Sequence, residues 1–363
     1  MEILLTSFTA AWVLTLIAVR SSRHFAHLSH DNDLSGPQKI HATPVPRIGG
    51  MGIFGGVLAG VILIDAREGP GLSFGTLLML AAVPAFAAGF IEDLLKSVSP
   101  ARRLLATAAS AALAAWLVDA LVRRTDIPGL DWVAASTVGA LVLTIPAVAG
   151  IANAVNIIDG FNGLASMCSM LMLAAIAYVA FQVGDSALVT LALAGIGAIM
   201  GFFLWNYPAG QIFLGDGGAY FLGFLVAELG VLLIARNPQV SPLFPLVVCV
   251  YPVFETLFSI YRRVVVRGHH ASHPDGVHLH SLVFKRLMRW AVGSEDPRQR
   301  TRRNSLTSPY LWVLCSLPLA PAMLSWHSSA IQAALLVTFA LIYVTLYSRI
   351  VSFRTPRWLI FRR

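Results

Sequence analysis

Hydrophobic and polar positions in this chain segregate on the scale of whole helices. Apolar runs recur at about 3–20, 49–65, 72–91, 104–122, 132–151, 164–182, 187–205, 219–235, 242–261, 310–326 and 330–348. Each is close to the ~20 residues a helix needs to cross a bilayer core. The pattern predicts an all-α polytopic membrane protein of about eleven transmembrane helices. It forms one integral membrane domain over 1–363, with a single long polar loop at 262–309. No internal repeat stands out, which argues against the inverted-repeat transporter plan.

Composition agrees: the chain is 57% hydrophobic and 12% charged, against about a quarter charged in soluble domains. The net charge of +8 does not indicate a nucleic-acid partner, because the bases sit in the loops between apolar runs. If the loops alternate sides, 22 of the 26 Lys and Arg residues fall on one side, leaving Arg67, Arg123, Arg124 and Arg236 on the other. The positive-inside rule makes the first set cytoplasmic, with the N-terminus periplasmic and the C-terminus cytoplasmic. The first run has no basic residue before it and Arg20 and Arg23 after it, so it reads as a retained span. Cys168, Cys249 and Cys315 lie in separate apolar runs and set up neither a metal spacing nor a disulfide framework.

The chemistry gathers on the basic side. Between two spans runs Ile151–Ala165, where Asn153, Asn156 and Asp159 recur at every third residue and so share neighbouring positions on a helical turn. Polar groups at the end of an apolar segment are costly unless they meet water, a metal or a ligand. Glu92, Asp93, Asp159 and Asp216 place four carboxylates at three span ends. Such a set suggests a hard cation, and Mg²⁺ held by one or two carboxylates plus substrate phosphates is the usual case. Lys39, Arg47, Lys96, Arg102 and Arg103 suit a diphosphate and a lipid phosphate. Gly215, Gly217 and Gly218 around Asp216 permit backbone to approach a ligand at the N-terminus of the following span.

Five histidines, His269, His270, His273, His278 and His280, fall within twelve residues, but no cysteine joins them as a zinc site would lead one to expect. His278 and His280 follow an Asp275-Gly276 turn and precede an apolar-basic run, and these two are the substrate candidates. Gly50–Gly55 fits G-x-G-x-x-G, yet no strand precedes it and a span follows, so it reads as a small-residue face for helix packing. A transporter of anionic solutes would suit the bases, but its coupling residues should lie mid-span, where Glu228 is one candidate. The CDP-alcohol phosphotransferase pattern fails at the alanine-arginine step after Asp159-Gly160.

These stretches resemble the polyprenyl-phosphate N-acetylhexosamine-1-phosphate transferases of the bacterial cytoplasmic membrane, which share a superfamily with phospho-N-acetylmuramoyl-pentapeptide transferase. The early K-x-H-x-x-P-x-P-R-x-G-G element stands as Lys39, His41, Pro44, Pro46, Arg47, Gly49 and Gly50. The paired acids correspond to Glu92-Asp93, and the asparagine-aspartate element to Asn153, Asn156, Asp159, Gly160 and Gly163. The Gly-Asp element matches Gly215–Gly218, and the histidine motif matches His278 and His280 with Arg286 downstream.

The resemblance implies transfer of a sugar-1-phosphate from a UDP-N-acetylhexosamine to undecaprenyl phosphate at the cytoplasmic face. UMP is released, Mg²⁺ is used (Mn²⁺ as a substitute), and O-antigen, capsule or another envelope glycan is started. Glu92, Asp93, Asp159 and Asp216 are then the expected catalytic set, with Asp216, Asp93 and Asp159 holding the metal. Lys39, His41, Arg47, Lys96, Arg102, Arg103, Asn153, Asn156, Asn162, Asn206, His278, His280 and Arg286 are expected on the substrates. A homodimer is among the assemblies left open, and the peptidoglycan enzyme is the alternative within the superfamily.

The chain departs from the pattern in places. Glu92-Asp93 stands where many relatives have Asp-Asp, and Asn162 where they often carry a second aspartate. Gln211 replaces a common basic residue, and Ala219 a frequent serine. These differences point to a subgroup with its own sugar preference.

Overall fold

The computed structural model describes residues 1–21, 45–68, 73–266, 268, 276–288 and 297–353. Lys39, His41, His269, His270 and His273 lie outside them. Long helices appear where the apolar runs predict them: α1 (Glu2–Ser21), α2 (Gly50–Glu68), α3 (Phe74–Leu95), α4 (Pro100–Val118), α6 (Thr137–Ile158), α7 (Leu164–Gln182), α8 (Ser186–Asn206) and α9 (Gly215–Arg236). A short α5 (Leu130–Ala134) precedes α6. Among the described residues ten helical stretches are long and apolar enough to cross a membrane, and the chain is a polytopic all-α membrane protein.

The predicted span at 242–261 is broken into α10 (Phe244–Val248) and α11 (Val250–Tyr261). Pro252 is the reason: it offers no N–H to the Val248 carbonyl and its ring crowds that oxygen, so the helix restarts around Cys249. After the short α12 (Leu279–Leu282) comes α13 (Pro297–Ser316), which begins well before the apolar run at 310. Its polar first turns are helical because they are used for packing: Asn304, Ser305 and Ser308 all bond across to the Asn162 turn. The chain then forms α14 (Leu319–Leu324) and α15 (Ser329–Val351).

Helix α9 is the axis of the bundle, packed against α2, α3, α4, α6, α7 and α8 and buried along almost its whole length. A helix apolar on every side needs such surroundings. Glu228 interrupts it, fully buried, and among the described residues neither of its carboxyl oxygens has a hydrogen-bond partner. Helix α1 lies in a groove between α2 and α8. A Cβ on Gly52, Gly56 or Gly60 of α2 would fall within 2.2–2.7 Å of Thr15, Ala11 or Ser7. The G-x-G-x-x-G segment is therefore a packing face, as its setting suggested.

The two ends of the bundle are chemically distinct. At the end opposite the acids, Arg236 grips Asp185 with bonds of 2.7 and 3.2 Å, Asn237 adds one of 3.2 Å, and Asp185 caps α8 through the Leu188 N–H at 3.3 Å. Arg124 there ties the α4–α5 loop to the carbonyls of Pro238 and Val240 at 2.9 and 2.6 Å. Helix α8 separates Asp185 from the other end by about 30 Å at 1.5 Å per residue. Asp185→Ala is expected to lower stability by about 2 kcal/mol through loss of the cap and its ion pair. The thermal midpoint in detergent should fall while KM for any substrate bound at the far end stays unchanged.

Candidate active site

The N-terminus of α9 is built by backbone contact. The Phe213 N–H donates to the Pro46 carbonyl at 2.9 Å, while Gly49 and Gly50 donate to Phe213 and Leu214 at 3.0 and 2.8 Å. This ladder holds Arg47 beside the helix start. Gly215 turns the chain into α9 with φ +77°, a conformation costly for any side chain. A Cβ on Gly50 would stand 2.3 Å from the Gly218 nitrogen, and one on Gly217 2.9 Å from the Phe90 nitrogen. The glycines expected to admit a ligand instead admit neighbouring backbone, bringing α2 and α3 onto α9.

Into that junction α3 delivers Asp93. Its Oδ1 accepts the Asp216 N–H at 2.8 Å and its Oδ2 the Gly217 N–H at 2.9 Å. Two of the helix's orphan donors are thereby satisfied by a carboxylate that the helix dipole also favours. Arg47 Nε lies 3.9 Å from the same carboxylate.

Asp216 is where the pieces meet. Its Oδ1 accepts from Arg47 at 3.3 Å and from Asn156 Nδ2 at 3.1 Å, and its Oδ2 pairs with Arg103 of α4. Helices α6 and α9 run antiparallel here, so Asn156 and Asn153 descend as Asp216 and Tyr220 ascend. Tyr220 donates its hydroxyl to Asn153 Oδ1 at 3.2 Å, and the Arg103 guanidinium stands 5.9 Å from the Tyr220 ring centre. The three-residue polar spacing of α6 thus matches the i, i+4 spacing of α9. Tyr220 was not singled out from the sequence; its position one turn after Asp216 was the available signal.

Asp159 sits just past α6. Among the described residues no hydrogen bond or ion pair ties down its carboxylate; burial pushes it up to about 7, with Arg47 pulling the other way. The unfolded carboxyl titrates near 3.8. Its stabilising contribution is therefore complete below that value and lost as pH rises toward 7. Asp159→Asn is expected to raise the thermal midpoint at pH 8 and leave it unchanged at pH 3. Equal effects at both values would contradict the buried-carboxyl assignment.

Other expected site residues go elsewhere. Glu92, expected among the catalytic acids, accepts the Val98 N–H at 2.7 Å and so shapes the turn that leads Arg103 into the site. Lys96 and Arg102 are exposed at that same turn. Asn162 is buried, its backbone N–H on Asn304 at 2.8 Å and its amide on Ser305 and the Pro208 carbonyl at 3.3 Å. Asn206 bridges the Gly163 N–H at 2.6 Å and the Ile212 carbonyl at 2.7 Å. Both hold loops rather than present groups to a substrate. Arg286 donates to the Ile350 carbonyl at 2.7 Å and lies over Phe353, capping α15. These three were expected on substrate; each lies instead at a junction of elements, where its side chain bonds other protein atoms.

The histidines do join the acid end. His280 is buried with its ring 5.4 Å from that of Phe161, and a Cβ on Gly160 would fall 3.5 Å from its Nε2. His278 stacks on it, ring centres 5.1 Å apart. The histidine pair therefore backs onto the turn that carries Asp159.

Among the described residues no three Asp, Glu, His or Cys side chains stand close enough to hold a metal ion by themselves. Mg²⁺ does not require three, since it is commonly bound by one or two carboxylates with phosphate and water completing the shell. Asp159, with no donor on its carboxylate among the described residues, fits that donor set, and Asp216 would join it by sharing a carboxylate that Arg47, Asn156 and Arg103 already hold. Asp93 fits it less well, each of its oxygens being committed to a backbone N–H.

Residues 75–234, which include Asp93, Arg103, Asn156, Asp159 and Asp216, match the glycosyl transferase family 4 profile. This stretch is similar to glycosyl transferase family 4. The chain is 28% identical over 254 residues to the "probable undecaprenyl-phosphate N-acetylglucosaminyl 1-phosphate transferase" of Bacillus subtilis, covering 67% of this chain and 66% of that protein. It is 27% identical over 266 residues to the undecaprenyl-phosphate alpha-N-acetylglucosaminyl 1-phosphate transferase of Thermotoga maritima, covering 73% of this chain and 77% of that one. Its likeness to the phospho-N-acetylmuramoyl-pentapeptide-transferase of Streptococcus thermophilus is 36% but spans only 55 residues, 15% of this chain and 16% of that protein. The family region begins at α3, so the Arg47 segment that completes the site lies before it.

Proposed function

We propose that this protein transfers N-acetylhexosamine-1-phosphate from a UDP-sugar to undecaprenyl phosphate, releasing UMP, in a bacterial inner membrane. The observation that carries the reading is the Asp216 cluster, in which Arg47, Arg103 and Asn156 from three other segments meet one carboxylate at a helix N-terminus. Two guanidiniums and a positive helix end make an anion site suited to phosphates. The long family 4 relatives named for polyprenyl-phosphate N-acetylglucosamine transfer supply the substrate class.

In this reading an oxygen of the lipid phosphate attacks the sugar-bearing phosphorus, and the bond from that phosphorus to the UMP oxygen breaks. Both nucleophile and leaving group are anionic, so charge neutralisation and alignment carry the chemistry. Arg47 and Arg103 bind phosphate oxygens while Asp216 fixes their position. Asn156 and the Asn153–Tyr220 pair keep the α6 face in register with α9. Mg²⁺ held by Asp216 and Asp159 would neutralise the diphosphate. A lipid phosphate needs no strong base near neutral pH, consistent with Glu92 being engaged elsewhere. The excess of basic residues in the loops at this end supports a cytoplasmic site, with the N-terminus outside and the C-terminus inside.

The test is incubation of membranes containing the protein with Mg²⁺, undecaprenyl phosphate and a panel of UDP-N-acetylhexosamines, with UDP-N-acetylmuramoyl-pentapeptide as a further donor. UMP should appear with at least one hexosamine, in step with a lipid-linked sugar, and stop on chelation. Absence of UMP with every donor would reject the reading, and UMP from the pentapeptide donor alone would move it to the peptidoglycan reaction.

A further inference from the structure

A second buried carboxylate lies behind the histidines and belongs to none of the stretches that the sequence brought forward. Glu255 of α11 is 1% exposed in an otherwise apolar run. Its Oε1 meets His278 Nδ1 at 3.0 Å and accepts the Leu279 N–H at 3.0 Å, and its Oε2 accepts the Tyr343 hydroxyl at 2.7 Å. One carboxylate thus fastens α11, the start of α12 and α15 together. Burying it is costly, and these three bonds compensate the carboxylate for the water it has lost. Both oxygens being held, it cannot rotate away from His278.

The consequence reaches the acid end. The His278 ring is near-parallel to that of His280, with 12° between planes, and His280 lies edge-on to Phe161 beside Gly160. Whatever fixes the plane of His278 therefore fixes the histidine pair against the Asp159 turn.

We propose that Glu255 is a positioning residue for His278. It takes the Nδ1–H, selects that tautomer and ring plane, and makes Nε2 the nitrogen that addresses a phosphate oxygen of the substrate. Tyr343, from the last helix, is the brace that keeps the carboxylate in line. The choice of phosphate as the group addressed rests on the transferase reading above; the Glu255–His278 coupling does not.

The full-length protein is compared with Glu255→Gln, Glu255→Asp, His278→Asn and the Glu255→Gln/His278→Asn double variant. Glu255→Gln is expected to lower kcat for UMP release about 10–100-fold, the size usual for removing an outer-shell carboxylate from a histidine, and Glu255→Asp to recover part of it. In the His278→Asn background the same change should cost nothing further, because its effect passes through the ring. Losses that simply add would make Glu255 a structural residue and overturn the proposal. A second measurement does not use activity: ¹⁵N NMR of histidine-labelled protein in detergent, with His278 identified by its disappearance in His278→Asn. The Nδ1-protonated signature should be present in the wild type and lost in Glu255→Gln, and an unaltered signature would overturn the proposal. A wild type that releases no UMP rejects the transferase reading alone, and the NMR comparison then decides the coupling.

Discussion

Asp216→Asn is expected to reduce UMP release about a thousandfold, the scale on which loss of one preorganised electrostatic group acts in a dry site. The replacement is nearly isosteric, and its amide oxygen can still accept from Asn156 or Arg47, so the thermal midpoint in detergent should move little. What disappears is the negative charge that holds two guanidiniums, Arg47 and Arg103, in one place and that would help bind Mg²⁺ on the diphosphate. Raising the Mg²⁺ concentration should recover little of the rate. An active Asp216→Asn enzyme with ordinary Mg²⁺ dependence would show that the α9 N-terminus is not where the diphosphate is neutralised.

Asp93→Ala should fail differently, in the fold as well as in the reaction. It strips the acceptors from the Asp216 and Gly217 N–H groups, leaving two buried donors without partners at about 1–3 kcal/mol each. Relaxation of the helix end and entry of water would bring the net loss toward the lower part of that range. Asp93→Asn keeps one acceptor oxygen and should lose roughly half as much stability. Both variants should be nearly inactive, since the start of α9 carries the Asp216 carboxylate. The two acids are therefore separable by experiment: substitution at Asp93 lowers the thermal midpoint and the rate together, and substitution at Asp216 lowers the rate alone. If Asp93→Asn were inactive at full stability, Asp93 would be acting on the substrate or its metal and not as a helix cap.

The same contrast explains which contacts of the candidate site were legible. Asn153 and Asn156 could be assigned to one helix face from spacing alone, and the structure pairs them with Tyr220 and Asp216. Asn162, Asn206 and Arg286 also carry polar groups near span ends, yet each has a partner far away in sequence, Asn304, Gly163 and Ile350 respectively. A polar residue near a span end is equally suited to a substrate and to a backbone carbonyl, and local pattern does not distinguish them. Glu255 was passed over for the converse reason. It lies inside an apolar run, where its partners His278 and Tyr343, 23 and 88 residues away, give no local sign of themselves.

The sequence by itself determined the all-helical membrane architecture, the positions of nearly all the helices and the presence of acids at their ends. It could do so because hydrophobic length and charge placement act through the bilayer and need no knowledge of neighbours. It also determined that the glycines of Gly50–Gly55 form a packing face. Only the tertiary structure decided that Asp93 is spent on the start of α9 while Asp216 gathers the arginines, that the Gly215–Gly218 glycines admit backbone, and that the 242–261 run breaks at Cys249 into α10 and α11. Those outcomes depend on which polar atoms come within about 3 Å of one another across helices, and that distance is set by packing around α9 rather than by the order of residues along the chain.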